Sequence, residues 1–323
     1  MRVSLLDLDA STYAPHALHA RDRAWSETNC YVDLVIEVLA AHGLEPHASL
    51  PFTFALDFEG DQWLFFKQPV AELDALYGLD VQELTIWRSL EEHVFEQTRR
   101  GRMTLVEVDA HYLPDTRGLT YRTGHSKTTI GVASIDRHAR VLGYFHNAGY
   151  FELTGDDYAG VLGLASTPLL PPYAEFVKFD RVVRRPTEEL VQRSVEHLRR
   201  HLARRPSVNP IVRFAESLDA DVARLATEPP DQFHLYSFAT FRQLGACFEL
   251  AGSYVRWLGT HGEPPLPDVV EACERISSGA KSLQFQLARA LARKRPLDAA
   301  GSLGEMADAW RRASETLAER YLR

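Results

Sequence analysis

The 323-residue sequence predicts an α+β domain followed by an all-α helical domain. The first half alternates short apolar runs with Gly and Asp turns, whereas apolar residues recur at helical spacing from about Thr187 onward. The charge also differs between the two halves. Residues 1–165 contain 13 basic and 24 acidic side chains, whereas residues 166–323 contain 23 basic and 20 acidic side chains. The segment TPLLPPYAEF (167–176) contains three prolines, which favour an extended connector. We therefore predict domains over 1–166 and 181–323, joined by a proline-rich connector over 167–180.

The elements of the first domain follow from periodicity and turn residues. A helix is predicted from Cys30 to a stop at Gly43, and a second over Glu91–Arg100, before Gly101. Three strands are predicted over 103–108, 127–135 and 141–147, the last two joined by the turn DRHAR. A helix followed by an antiparallel meander is typical of the α+β class.

The second domain is predicted to be helical throughout. Helices are expected over 187–202, within 231–259, over 267–294 and over 303–321. Cys247 and Cys273 lie on apolar helix faces and are interpreted as core residues.

The composition excludes several classes of protein. A hydrophobic content of 45% with 25% charged residues indicates a globular chain. No apolar stretch approaches the roughly 20 residues of a membrane helix. Asp7 and Asp9 interrupt the N-terminus too early for a signal peptide, so we expect a cytoplasmic protein that does not bind a membrane. A net charge of −8 argues against nucleic-acid binding.

The cysteine content bears on metal and redox chemistry. Three scattered cysteines are too few for a disulfide framework or a zinc cluster, so we predict reduced thiols and no metal. The alternating Asp57, Glu59 and Asp61 could form a hard-metal site, but a solvated loop is the interpretation we prefer.

Cys30 is the candidate nucleophile. A thiol in the first turn of a helix feels the positive end of the helix dipole, which favours the thiolate. It also needs an imidazole base with an orienting acceptor. His125 enters one predicted strand and Asn147 leaves the next, which is the chain order of papain-like enzymes. If residue 135 pairs with 141, Asn147 falls opposite Thr129, four residues from His125, unless a bulge alters the register.

Other residues are candidates for the base. His111 lies beside a strand end, where a loop-packing role is the alternative. His146 points away from Asn147 on its strand.

Substrate-binding candidates are polar residues near these positions. Asp109 could bind a substrate amine, orient the histidine or form a turn. Glu27 and Asn29 could contribute to an oxyanion site, although Asn29 is also a helix cap. Arg242 and Glu249 are charges within an apolar helical region, so they could line a cleft or pair with each other.

Two family resemblances extend this interpretation. The segment VEVDAHYLPDTRGLTYRTGHSKTTIGVASID resembles the N-terminal domain of the butirosin biosynthesis protein H family, over about residues 25–155. Here Asp109, His125 and Asp136 would match its pattern, with Asn147 replacing an Asp-Pro step. Phrases such as NCYVDLVIEVL, FALDFEGDQW and GYFHNAGYFEL resemble a bacterial family designated a domain of unknown function, DUF1839, across essentially the whole chain.

The first resemblance implies a papain-like acyltransferase fold and activity. An aminoacyl group would pass from a carrier-protein thioester to Cys30 and then to an amine, with His125 as base and Asn147 as orienter. No cofactor is expected beyond phosphopantetheine carried by the partner. A basic cluster at Arg289, Arg293, Lys294 and Arg295 could dock that acidic carrier protein or its phosphate, but a solvated helix end is the interpretation we prefer. The alternatives are a papain-like amidase or peptidase, and a noncatalytic scaffold that binds a carrier protein.

Overall fold

The computed structural model describes residues 1–164 and 170–323. They divide into two compact units. Unit 1 consists of residues 1–20, 29–46 and 69–184, and unit 2 consists of residues 21–28, 47–68 and 185–323. The predicted α+β class, with a helical C-terminal part, is confirmed. Residues 167–169 of the predicted connector lie outside the described residues.

Unit 1 is built on an antiparallel sheet. Its strands in the described residues are β1 (Arg2–Ser4), β2 (Asp80–Glu83), β3 (Arg102–Asp109), β4 (Lys127–Asp136), β5 (Val141–His146), β6 (Gly149–Thr154) and β7 (Ala174–Lys178). They are ordered β2-β7-β3-β4-β5-β6, and β1 pairs with β4. The predicted meander therefore forms the centre of the sheet.

Helices cover both faces of this sheet. They are α1 (Cys30–Ala41), α2 (Val70–Tyr77), α3 (Leu90–Arg99) and α4 (Gly155–Val161). Leu105 faces α1, whereas its neighbour Val106 packs in the cluster that contains residues of α3 and α4. This alternation follows from the two-residue period of a strand. The central strands β3 and β4 are consequently apolar on both faces.

The predicted start and stop of α1 are confirmed. The Asn29 side chain accepts the Val32 amide at 3.0 Å and caps the first turn. Gly43 follows the helix with φ +68°, in the left-handed region that favours glycine. The chain therefore places Cys30 as the first residue of α1.

The predicted connector contains a strand. Residues 174–178 form β7, which pairs with both β2 and β3 in the sheet of unit 1. The physical reason is that the short run AEFVK finds partners far away in the sequence, which local patterns cannot indicate. The proline-rich residues 170–172 lead directly into this strand.

Unit 2 is helical. Its elements include α5 (Thr187–Ala203), α6 (Pro210–Leu225), α7 (Asp231–Ser237), a π-helix (Phe238–Arg242), α8 (Gln243–Thr260), α9 (Pro267–Arg293) and α10 (Ala300–Tyr321). Cys247 and Cys273 are fully buried in its core, as predicted, and burial raises the pKa of both thiols. Among the described residues, no helix is long and apolar enough to cross a bilayer.

Candidate active site

The clearest polar constellation in unit 1 joins His125 to Asp109. The Nδ1 of His125 lies 2.6 Å from Oδ2 of Asp109. The other carboxylate oxygen accepts the amides of His111 at 3.0 Å and Ser126 at 3.3 Å. Asp109 ends β3 and His125 precedes β4, and the two strands pair there through Asp109 and Lys127. The antiparallel ladder therefore holds the carboxylate against the imidazole.

The hydrogen bonds to Asp109 favour the ionised form of its carboxyl group. Burial would raise the pKa of the Asp109 carboxyl, but the hydrogen bonds from His125 and from the two amides lower it below its usual value. An ionised carboxylate only accepts hydrogen bonds, so Nδ1–H of His125 donates to Asp109, and Nε2 is the ring nitrogen left for a substrate. The His125 side chain is 72% exposed, so a substrate can reach it.

His111 supports His125 from one side. Their rings stack with centroids 4.5 Å apart and planes inclined by 10°. The Nδ1 of His111 donates to the carbonyl of Gly124 at 3.1 Å. This candidate base therefore makes a loop contact and packs against His125.

Asp109 and His125 line a cavity of about 1040 Å³ in unit 1. The polar residues Glu107, Asp109 and 125–127 lie on its β3–β4 side. Apolar residues come from the segment before α3, the end of α4 and residues 170–172. A large, mostly apolar cavity with a few convergent polar groups is the usual form of a small-molecule site.

Cys30 lies on the sheet face covered by α1. Its Sγ is 3.9 Å from the hydroxyl of Thr129 in β4. The thiol is half-buried. Thr129 is four residues from His125, which corresponds to about 13 Å of extended chain. The structure thus brings Cys30 to Thr129, and its hydrogen bond among the described residues is with that threonine rather than with a histidine.

Asn147 lies in the tight turn between β5 and β6, with φ +44°. Residue 135 pairs with 142 rather than with 141, and a bulge follows between Val132 and Ser134. Beyond the bulge, Gly131 pairs with Phe145, so the continued register sets Asn147 opposite Thr129. Because of the bulge, the pairing beyond it follows the register assumed from the sequence. The residue that accepts the hydrogen bond of the His125 imidazole is Asp109, not Asn147.

His146, the other candidate base, is buried with both ring nitrogens occupied. Its Nδ1 lies 2.5 Å from the Asp115 carboxylate, and its Nε2 lies 2.8 Å from the Thr128 hydroxyl. Tyr144 donates to the same carboxylate. These contacts give His146 a structural role in connecting β4, β5 and the 114–116 turn.

Family models cover nearly the whole chain. The model for the DUF1839 N-terminal domain matches residues 14–179, and the model for the DUF1839 C-terminal domain matches residues 187–319. The chain belongs to the DUF1839 family. No curated protein matches it. The N-terminal match contains Cys30, Asp109 and His125, so the sheet-based constellation belongs to the DUF1839 N-terminal domain.

The remaining substrate-binding candidates of this DUF1839 protein lie together in unit 2. Arg242 donates to the carbonyls of Thr28 at 3.0 Å and Glu27 at 3.2 Å, and forms an ion pair with the Glu27 carboxylate at 3.4 Å. The Glu249 carboxylate accepts the amides of residues 24 and 25 at 3.0 and 2.8 Å. Both charges thus hold the 21–28 segment, and neither pairs with the other.

Two further predicted clusters have clear placements in unit 2. Asp57, from the acidic loop, forms an ion pair with Arg213. The basic residues at the end of α9, which we term the α9 basic cluster, are all exposed, and no described carboxylate forms an ion pair with them; they are Arg289, Arg293, Lys294 and Arg295.

Sequence reasoning missed a buried ionic network in unit 1. His19 lies between two carboxylates of α1, with Nε2 3.2 Å from Asp33 and Nδ1 hydrogen-bonded to Glu37. Glu37 also accepts from the Tyr13 hydroxyl and from the His16 amide. The side chains of His19, Asp33 and Glu37 are all fully buried. The available signal was two acidic residues, four apart, within the apolar helix CYVDLVIEVLAA.

Proposed function

We propose that this protein is an acyltransferase in which His125, oriented by Asp109, is the general base that activates an amine. The 2.6 Å hydrogen bond between their side chains, on the wall of the 1040 Å³ cavity, is the observation that carries the proposal. A carboxylate that binds Nδ1–H sets the tautomer of the imidazole and stabilises the imidazolium that forms after proton transfer. The acyl-transfer reaction itself comes from the resemblance of residues 25–155 to the butirosin-type acyltransferases.

The reaction balances with the groups of the dyad. The neutral amine attacks the carbonyl carbon of a thioester, so a C–N bond forms and the C–S bond breaks. Nε2 of His125 takes the proton that the amine loses, and the resulting imidazolium returns it to the departing thiolate sulfur. General bases in this position typically contribute on the order of a hundred- to ten-thousand-fold.

The donor in this proposal is an aminoacyl or acyl group on a carrier protein, with phosphopantetheine supplied by that partner. The α9 basic cluster supports such a partner because its four cations are exposed and lack carboxylate partners among the described residues. An acidic protein would gain most from this surface through a faster association rate.

A second mechanism uses Cys30 as a covalent nucleophile, within a papain-like arrangement. The observation in its favour is that Cys30 is the first residue of α1 and that its sulfur lies beside Thr129 of β4, with Asn147 in the turn after β5. In this mechanism the acyl group would pass to the Cys30 sulfur before the amine attacks. The residue beside the thiol is a threonine, and His125 lies about 13 Å of extended chain from Thr129, so this mechanism requires His125 and the thiol to approach each other before a proton can pass between them.

Thioester turnover with single variants tests the two mechanisms. The protein is incubated with an acyl thioester of N-acetylcysteamine and a panel of primary amines, and released thiol is measured together with the amide product. Direct transfer predicts that His125→Ala and Asp109→Asn each lose about a hundredfold or more, while Cys30→Ser retains activity. The covalent mechanism predicts that Cys30→Ser abolishes transfer and that the wild type carries an acyl mass on Cys30.

Each remaining outcome also assigns a role. Full activity in His125→Ala would overturn the base assignment in both mechanisms. Thiol release without an amide product would identify water as the acceptor and make the protein a hydrolase that cleaves thioesters, which is the hydrolytic alternative to acyl transfer. Wild-type protein that releases no thiol from any donor, including an acylated carrier protein, would contradict the enzyme and support a carrier-binding scaffold.

A further inference from the structure

The cavity extends beyond Asp109 and His125, and much of its lining is apolar. Polar residues line it around the ends of β3 and β4, and these are Glu107, Asp109, His125, Ser126 and Lys127. Arg88 and Ser89 line it before α3, and most of the remaining lining is apolar, including Ile86, Trp87, Leu90, Val161, Leu162 and Leu170. The volume of about 1040 Å³ is at the upper end of the range for small-molecule sites. Such a cavity fits a ligand with one polar reacting group and a bulky apolar body.

Two large apolar side chains at the cavity are exposed to solvent. Trp87 and Leu170 are each 75% exposed. Exposed apolar residues at a concave site indicate a surface that a ligand covers. Their contact with an apolar ligand would remove this area from water, which is the dominant favourable term in such binding.

The position of Trp87 is fixed by the fold. The buried His93 of α3 accepts the backbone amides of Trp87 and Arg88 through its Nε2, at 3.2 Å each. Burial lowers the pKa of His93, which keeps the imidazole neutral and able to accept both amides. The Arg88 guanidinium lies 4.8 Å from the centre of the indole ring. The indole is therefore held at the cavity although most of it is in water.

Small residues of α4 also line the cavity. Gly160 in α4 packs so closely on Tyr112 that a Cβ at this position would overlap the phenol ring. Ala159 beside it also lines the cavity. We expect a larger side chain at residue 159 to fill part of the cavity that this residue lines.

We propose that this cavity binds the acyl part of the thioester donor and selects bulky apolar acyl groups over small ones, an inference that rests on the proposed function. The amine is assigned to the β3–β4 side because His125, the base that takes its proton, lines the cavity there. The acyl chain then occupies the apolar walls and is covered by Trp87 and Leu170.

Binding to an inactive variant tests the substrate class without turnover. Acetyl, hexanoyl and decanoyl thioesters of N-acetylcysteamine are titrated calorimetrically into full-length His125→Ala protein. Affinity should rise about fourfold for each added methylene until the cavity is filled, which corresponds to about 0.8 kcal/mol per methylene. Equal affinity for the three thioesters would overturn the proposal.

Variants of the wall locate the effect. Trp87→Ser and Leu170→Ser should weaken decanoyl binding about tenfold or more, and Ala159→Leu should lower the ratio of decanoyl to acetyl affinity. Leu119→Ser is the matched control, because Leu119 is 80% exposed and does not line the cavity. A chain-length dependence that survives all three wall variants would place the acyl site elsewhere. If affinity rises with acyl chain length but His125→Ala turns over thioesters at the wild-type rate, the acyl site stands and only the assignment of His125 as the base is wrong.

Discussion

The buried network around His19 makes the stability of unit 1 depend on pH in a direction that the structure determines. Burial alone would lower the pKa of His19, but the hydrogen bonds to Asp33 and Glu37 and their charges raise it to about 9. The unfolded chain has a histidine pKa of about 6.5. A group whose pKa is raised by folding contributes its full stability below the unfolded pKa and loses it as the pH rises through the folded pKa.

The expected loss follows from these two values. A difference of about 2.5 pKa units at 1.36 kcal/mol per unit gives about 3 kcal/mol of the free energy of unfolding. The contribution should be complete at pH 6 and mostly gone at pH 9.5. Glu37 acts at the other end of the range, because its lowered pKa contributes stability that is lost as the pH falls below about 4.5.

The measurement is urea denaturation of the wild type and His19→Gln at pH 6 and at pH 9.5. Hydrogen exchange of the α1 amides reports the unit that contains the network, because the chain has two units and one global transition need not describe both. The destabilisation caused by His19→Gln should be about 3 kcal/mol smaller at pH 9.5 than at pH 6. His138→Gln, in the exposed turn after β4, is the control and should show no such difference. Equal destabilisation at the two pH values would refute the imidazolium between two carboxylates.

Two further predictions concern the base and the partner. His125→Ala should lose about a hundred- to ten-thousand-fold in turnover, whereas His111→Ala should lose far less, because His111 stacks on the dyad without holding its proton; reversed results in a thiol-release assay would assign the base to His111. Replacing Arg293, Lys294 and Arg295 by glutamate should slow association with an acidic acylated carrier protein in the same way as added salt, with N-acetylcysteamine thioesters turned over normally. Carrier-dependent transfer that is unchanged by the triple reversal and by salt would remove the α9 basic cluster as the docking surface.

The sequence was informative where periodicity was long or turns were marked. The helix that begins at Cys30 and stops at Gly43, and the meander of β3, β4 and β5, follow from local patterns and are confirmed. The strands β2 and β7 were not predicted, because each is five residues or fewer and pairs with a partner distant in sequence. Short strands acquire their structure from such pairing, so composition alone does not reveal them.

The candidate site shows the same division. The Asp109–His125 pairing was one of the alternatives considered, and it forms because both residues lie at the same end of two adjacent strands. The cavity walls could not be predicted, since they come from segments around residues 86–90, 159–163 and 170–172 that meet only in the folded unit. The buried partners of His19 could have been found by the reasoning applied to Arg242, that a charge among apolar residues needs a partner.

The two candidate reaction centres depend on different parts of unit 1. The dyad is held by hydrogen bonds between the ends of β3 and β4, so its geometry is set by the sheet. Cys30 is the first residue of α1, and His19 bridges the two buried carboxylates of this helix, Asp33 and Glu37. Loss of the His19 charge at high pH leaves two carboxylates buried with a neutral imidazole, which destabilises α1, whereas the hydrogen bond between Asp109 and His125 includes no residue of this network. A reaction centred on the dyad should therefore tolerate weakening of the His19 network, whereas a reaction that passes through the Cys30 sulfur should fail together with the helix that positions it.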